Sequence, residues 1–271
     1  SPLVTTYHGT YYKDKKIISV AKKSTAIISC SPAVEKYLSE KLKIPSVMIQ
    51  NGINFEQFFY KSDDPSIRKN LGITNHEPII LYPSRQDGRK YRIGRHLMEA
   101  CYNLRKNYNI PLHAVFAGSG SNHNKMVQAA NIYNEEMGGP FLHVIGRYYD
   151  MPKLYSSSTV VVATGRSAME AMACERPLIA AGIKGFVGIV DNKNYNKALR
   201  TGFGDHASNE LPLCTSILLE DCLRKMLLDK NKEKREKIGK RGFEFIKKHF
   251  DNKTTTNQIE QLYISLLKGK L

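Results

Sequence analysis

VVVATGRSAMEAMACERPLIAAG, residues 160–182, is the stretch on which the reading of the fold turns. It opens on Val160, Val161, Val162 and Ala163, an apolar β-branched run too short for a helix and suited to a buried parallel strand. Gly165, Arg166 and Ser167 read as a turn, and from Ala168 the Ala, Met and Glu residues are good helix formers. Pro177 closes that helix before a second apolar strand over 178–181. At the start of such a helix the amides are free and lie beyond the carboxyl ends of the strands. An anion there gains both hydrogen bonds and the helix dipole, and phosphate is the expected guest. Glu170, one turn in, stands where it can accept hydrogen bonds from a ribose on the same phosphates. The same letters also spell an ordinary β-α-β unit with a solvent-facing Glu, so the neighbouring segments have to decide.

Upstream, strands are expected at 79–83, 112–117 and 141–145, alternating with helices at 91–108, 122–136 and 151–156. Alternation of this kind implies a parallel sheet with helices on both faces. After residue 182, 186–190 is a strand candidate and the polar stretch 191–210 reads mostly as loop. Helices follow near 216–228, 232–249 and 257–268, the last capped by its preceding threonine run. Before residue 60 the pattern gives a strand at 3–7, a lysine-rich surface helix at 12–23 and a strand at 26–29. Ser31 and Pro32 then start a helix to about 42, and a strand follows at 47–50. The texture changes over 54–64, which places the domain junction there. The expected division is a partial N-terminal Rossmann-like domain over 1–60 and a C-terminal donor-binding domain over 61–250. A terminal helix over 251–271 would pack back toward the first part.

The 271 residues carry a net charge of +16, which favours an anionic partner: phosphates, an acidic membrane surface or nucleic acid. The densest basic run, 230–248, also holds Glu233, Glu236 and Glu244 at helical spacings, the pattern of a solvated helix face. No aromatic-basic RNA motif or zinc-finger spacing occurs, so nucleic acid is not expected. Five scattered cysteines without a CxxC pair argue for reduced thiols, a cytoplasmic location and no metal site. No run approaches the roughly 18 apolar residues of a membrane span, which leaves peripheral contact with an anionic membrane as the expected mode of any association.

Two further groups belong with 160–182. Gly118, Ser119 and Gly120 follow a strand directly and precede a helix, where glycines let backbone approach a ligand. Arg85 and Lys90 lie after the strand at 79–83, over the same sheet edge as Gly118 and Gly165. A diphosphate across that edge would meet a fork donor and a point charge together. His8 ends a strand of the first part and would face the edge across a cleft, although a lone His is more often structural.

HGT at 8–10, SCSPAVEKYL at 29–38, IQNGINFEQF at 49–58, SRQDGRK at 84–90, FAGSG at 116–120, VIGRYYDMPKLYSSS at 144–158, GRSAMEAMACERPLIAAG at 165–182 and IEQLYISLL at 259–267 together resemble, in order and over nearly the whole chain, the retaining glycosyltransferases of family 4. The resemblance implies the GT-B fold of two Rossmann-like domains. It also implies a nucleotide-sugar donor, a UDP-sugar ahead of a GDP- or ADP-sugar, transferred with retention to an acceptor and without metal or separate cofactor. By it, Arg85 and Lys90 hold the donor diphosphate, and Gly165, Arg166, Ser167 and Ala168 take the phosphates through the helix start. The loop of Gly118, Ser119 and Gly120 lines the donor site, and Glu170 takes the ribose hydroxyls. The loop of Gly146, Arg147 and Tyr148 flanks the base, Asn51 and Gly52 mark the interdomain connection, and His8 faces the transferred sugar.

The chain departs from the family in two places. Val162 stands where a second acidic residue, contacting the sugar, is usual, which leaves the sugar open. Family members also begin with strands and a Gly-rich loop that would precede Ser1. The first domain is therefore expected to be incomplete and to pair its open sheet edge with a second copy, and the chain is expected to bind donor without turning it over. A sugar-nucleotide epimerase of the same fold and a non-catalytic nucleotide-sugar-binding module are the alternatives. Product from a matched donor and acceptor separates them.

Overall fold

The computed structural model describes residues 1–9, 14–74, 77–206, 210–228 and 231–269. The first part holds strands β1 (Val4–Tyr7), β2 (Ala26–Ser29) and β3 (Val47–Met48) with helices α1 (Asp14–Ala21) and α2 (Pro32–Lys36). The second runs α3 (Pro65–Asn70), β4 (Ile79–Pro83), α4 (Gly88–Tyr108), β5 (His113–Ala117), α5 (His123–Glu136), β6 (Leu142–Gly146), α6 (Met151–Ser156), β7 (Val160–Ala163), α7 (Gly165–Ala173), β8 (Leu178–Gly182), β9 (Gly185–Ile189) and α8 (Tyr195–Arg200). It closes with α9 (Ser216–Leu227), α10 (Lys232–His249) and α11 (Asn252–Leu267).

The small sheet is parallel in the order β1-β2-β3, and the large one runs β6-β5-β4-β7-β8-β9. Five of the six large-sheet strands are parallel; β9 pairs antiparallel with β8, because only two residues separate them and so short a link makes a hairpin. Successive strands are added outward from β4 on one side and then from β7 on the other. The order therefore reverses between β4 and β7, and the carboxyl ends of these two strands flank the crevice where open α/β sheets bind ligands.

Every residue of β4, β5, β7 and β8 is buried, which explains their continuous apolar runs. Ile79, Leu81, Val115, Val161 and Ala180 pack on one face with Met172 of α7 and Ile246 of α10. Ile80, Phe116, Val160, Val162 and Ile179 pack on the other with Leu97 of α4, Met126 of α5 and Leu223 of α9. The period-two alternation is the pleat of the strands.

Three expectations are corrected. The stretch 191–210 contains α8 and a 3₁₀ turn, Gly202–Gly204, rather than mostly loop; residues 207–209 lie outside the described residues. Asn194 makes this segment possible, since its side chain donates to the Ile189 carbonyl and accepts from the Asp191 amide. The last helix starts at Asn252, not 257, because Asp251 caps it by accepting from the Lys253 amide, and the threonines lie inside it. Helix α7 starts at Gly165, so Gly165, Arg166 and Ser167 are its first turn and not a loop before it. Of the surface helix expected over 12–23, residues 12–13 lie outside the described residues.

The two parts meet through the backbone. The Ile53 amide donates to the Phe250 carbonyl at 2.7 Å, and the Asn252 amide donates to the Ile53 carbonyl at 3.2 Å. Ile259, Leu262 and Leu266 of α11 join Ile28 and Ile49 in a small core, which returns the end of the chain to the first sheet. No described helix is long and apolar enough to cross a membrane.

Candidate active site

The residues of 160–182 build the floor of the site. Thr164 has the extended conformation of an N-cap, yet its side chain does not cap α7. Its hydroxyl donates instead to the Phe203 carbonyl at 2.9 Å. Ser31, Asp64, Asp150, Thr215 and Asp251 all cap their helices through the side chain. The first turn of α7 is thus left with open amides, at the carboxyl end of β7 beside the switch point, which is a ready anion site.

A cavity of about 390 Å³ lies over that turn, lined by Gly165, Arg166, Ser167 and Glu170 of α7, by Arg85 and Lys90, and by Tyr155 and Asp205. Arg85 is exposed, and its guanidinium makes no hydrogen bond or ion pair with another described residue. Lys90 reaches Asp205 Oδ2 with its Nζ at 3.4 Å. Glu170 is only 14% exposed; its Oε1 accepts from Arg166 Nε at 2.9 Å and its Oε2 from the Tyr155 hydroxyl at 3.0 Å. Burial pushes the Glu170 carboxyl above its ordinary value, against the pull of Arg166 and Tyr155. Burial likewise lifts the Tyr155 phenol well above its own, so that it stays a donor to Glu170.

Gly118, Ser119 and Gly120 lie beside this cavity and not in its wall. Their loop is zipped to the one carrying Arg85: Ser84 donates from its amide to Ala117, Gln86 to Ser119, and Asn122 to Gln86. Gly118 has φ +145°, and a Cβ there would stand 2.0 Å from the Ser84 carbonyl oxygen, so only glycine fits. The glycines hold the Arg85 loop in place. Gly146 accepts from the Gly118 amide, Arg147 is exposed beyond it, and Ala168 is fully buried in α7.

His8 is exposed and lines an adjoining cavity of about 200 Å³ with Ser31, Gln50 and Asn51 of the first part. Gly165, Arg166 and Asp205 line both cavities, so the two are continuous across the cleft. The sequence reading did not include Asp205, His206, Tyr155 or Thr164. The signal for Asp205 was the Gly202-x-Gly204 spacing ahead of it, the same kind of glycine-then-polar turn that marked residues 165–167.

With this geometry in place, comparison with known proteins defines the class. Residues 63–245 match the family model of the glycosyl transferases group 1, and the chain belongs to that family. Among solved structures it is similar to a glycosyltransferase from Rickettsia africae, at 20% identity and a TM-score of 0.75, covering 98% of this chain and 70% of that one. It is also similar to sucrose-phosphate synthase from Thermosynechococcus elongatus, at 21% identity and a TM-score of 0.71, covering 98% and 68%. The HepE protein of Anabaena, in complex with UDP and glucose, matches at 19% identity and a TM-score of 0.72, covering 97% and 72%. These likenesses establish the GT-B type of fold. No curated protein sequence matches the chain.

Proposed function

We propose that the chain acts as a retaining glycosyltransferase of the family 4 type, taking a UDP-sugar and passing its hexosyl group to an acceptor hydroxyl. The observation that carries this reading is the uncapped start of α7 facing Arg85 and Lys90 across one cavity, with Glu170 further along the same helix. The α7 amides and the two cations take the diphosphate, and the Glu170 carboxylate, already oriented by Tyr155 and Arg166, accepts from the ribose. In the transfer, the bond between the anomeric carbon and the diphosphate oxygen breaks and one to the acceptor oxygen forms. The acceptor proton leaves with the diphosphate. Charge building on that leaving group is offset by Arg85, Lys90 and the helix start, which need no rearrangement to meet it. His8, across the cleft, faces the sugar in this arrangement. The UDP named in the Anabaena complex supports uridine as the base to test first.

The test is calorimetric titration with UDP, GDP and ADP, followed by product analysis with the corresponding sugar donors. Micromolar binding of UDP that disappears in the Arg85→Ala, Lys90→Ala double variant is expected. Absence of binding by all three nucleotides refutes the reading.

A further inference from the structure

Asp205 stands at the junction of the two cavities, and its two carboxylate oxygens are in different states. Oδ2 lies 3.4 Å from Lys90 Nζ, while Oδ1 is buried and has no hydrogen-bond partner among the described residues. A carboxylate oxygen out of water and without a donor is costly, and in a binding cleft it marks where a ligand donor belongs. Glu170, the other carboxylate of the larger cavity, already uses both oxygens on Tyr155 and Arg166. The carboxylate oxygen with no donor at all among the described residues is therefore Asp205 Oδ1.

The backbone fixes its place. The Phe203 carbonyl takes the Thr164 hydroxyl, and the Lys184 amide donates to the Gly204 carbonyl at 3.0 Å. The next residue, His206, brings its Nδ1 within 3.4 Å of Ser31 Oγ in the first part. Asp205 is thus held where the two parts meet, beside the helix start that would carry the diphosphate. Beyond it the smaller cavity sets the polar groups of Ser31, Gln50, Asn51 and His8 against Met169 and Phe203, a mixed wall suited to the hydroxyls and the apolar face of a sugar ring.

We propose that Asp205 reads the donor sugar, its carboxylate turning its unused acceptor capacity to a hexosyl hydroxyl in the smaller cavity. This rests on the nucleotide-sugar reading above and makes Asp205 a specificity-determining residue. Its Oδ2, 3.7 Å from where a Cβ on Gly165 would stand, also puts negative charge beside the helix start, so its removal has opposite effects on the two halves of the ligand.

The experiment is calorimetry of UDP, UDP-glucose, UDP-galactose and UDP-N-acetylglucosamine on the native protein, Asp205→Ala and Asp205→Asn, with thermal melts to show that both variants fold. UDP affinity should hold or rise in Asp205→Ala, because a negative charge beside the α7 start is removed. The UDP-hexose that binds the native protein most tightly should lose roughly 10-fold or more relative to UDP, the loss of one charge-assisted bond. Asp205→Asn, which keeps the shape and one acceptor, should fall between. Equal shifts for UDP and for every UDP-hexose overturn the proposal and reduce Asp205 to a partner of Lys90. Failure of the native protein to bind UDP, GDP or ADP overturns the nucleotide-sugar reading itself, and the native titrations alone reveal it.

Discussion

At the amino edge of the large sheet, below β7 and β8, lies a cavity of about 430 Å³; the carboxyl-edge cavity measures about 390 Å³. Both are rich in charge, but the charges are used differently. At the amino edge Arg68 donates to Asp63 at 2.6 Å and to the Glu77 carbonyl at 2.9 Å. Arg176 donates to the Cys174 and Ser158 carbonyls and lies over the Tyr60 ring at 4.8 Å, while Arg235 holds the Met226 carbonyl. These guanidinium groups tie loops together. At the carboxyl edge the α7 amides and the Arg85 guanidinium stay open, and Asp205, which lines the cavity, keeps one oxygen without a donor among the described residues. Volume alone does not separate a binding site from a structural seam; unanswered hydrogen-bonding groups do.

The strongest way to break this difference is Gly118→Ala. A methyl group 2.0 Å from the Ser84 carbonyl must prise the Arg85 loop from its neighbour. A loss of about 3 kcal/mol or more in urea unfolding, with UDP binding abolished, is expected. Next, Arg85→Ala and Lys90→Ala should each weaken UDP by roughly 10-fold or more, as one charge-assisted bond would, while Arg176→Ala at the amino edge leaves UDP affinity within about twofold and lowers the melting temperature. Calorimetry that shows equal effects at the two edges removes the distinction.

The amino half of the sheet should also be the part that responds to acid. His113 takes Glu77 Oε2 at Nε2 and His143 Nε2 at Nδ1, both at 2.9 Å. Burial, with the neighbouring His113, pulls the His143 pKa down to about 4. In the unfolded chain it is near 6.5, so between these values the unfolded state binds the extra proton. The stability is therefore complete above pH 6.5 and falls as the pH drops toward 4, by roughly 1–3 kcal/mol. His143→Gln should flatten this slope in urea midpoints measured across that range. The smallest effect belongs to Glu170→Gln, which keeps an acceptor for the ribose. About threefold weaker UDP binding is expected, and 2′-deoxy-UDP should lose affinity for the native protein but little for the variant. Equal losses in both would remove Glu170 from the ribose.

The strands of the large sheet were legible because both their faces are covered, which makes 79–83 and 160–163 continuous apolar runs between turn signals. Arg85, Lys90 and residues 165–167 could be placed over one edge because parallel strands send every following loop to the same side. The segment after β9 was not legible. It carries few apolar residues, and what fixes it is Thr164 and Lys184, distant in sequence, together with the Asn194 side chain. Asp205 was hidden with it. The helix start at Gly165 was missed by three residues, since the usual signal of a capping side chain is here diverted to Phe203. The last helix was placed late because threonine suits a cap, whereas Asp251 already fills that role.

The crossing at Ile53 and Asp251 has a mechanical meaning. The chain passes between its two parts near Ile53 and again near Asp251, and the two passages run side by side, joined by backbone bonds on both faces of Ile53. A Cβ on Gly52 would fall 2.4 Å from Asn252 Cα, so the passages touch without side chains between them. Two adjacent passages make a single pin. A rotation of one part on the other would turn about this pin, and it would part His206 from Ser31 at the smaller cavity. Sliding would shear the bonds at Ile53, and the pin resists it.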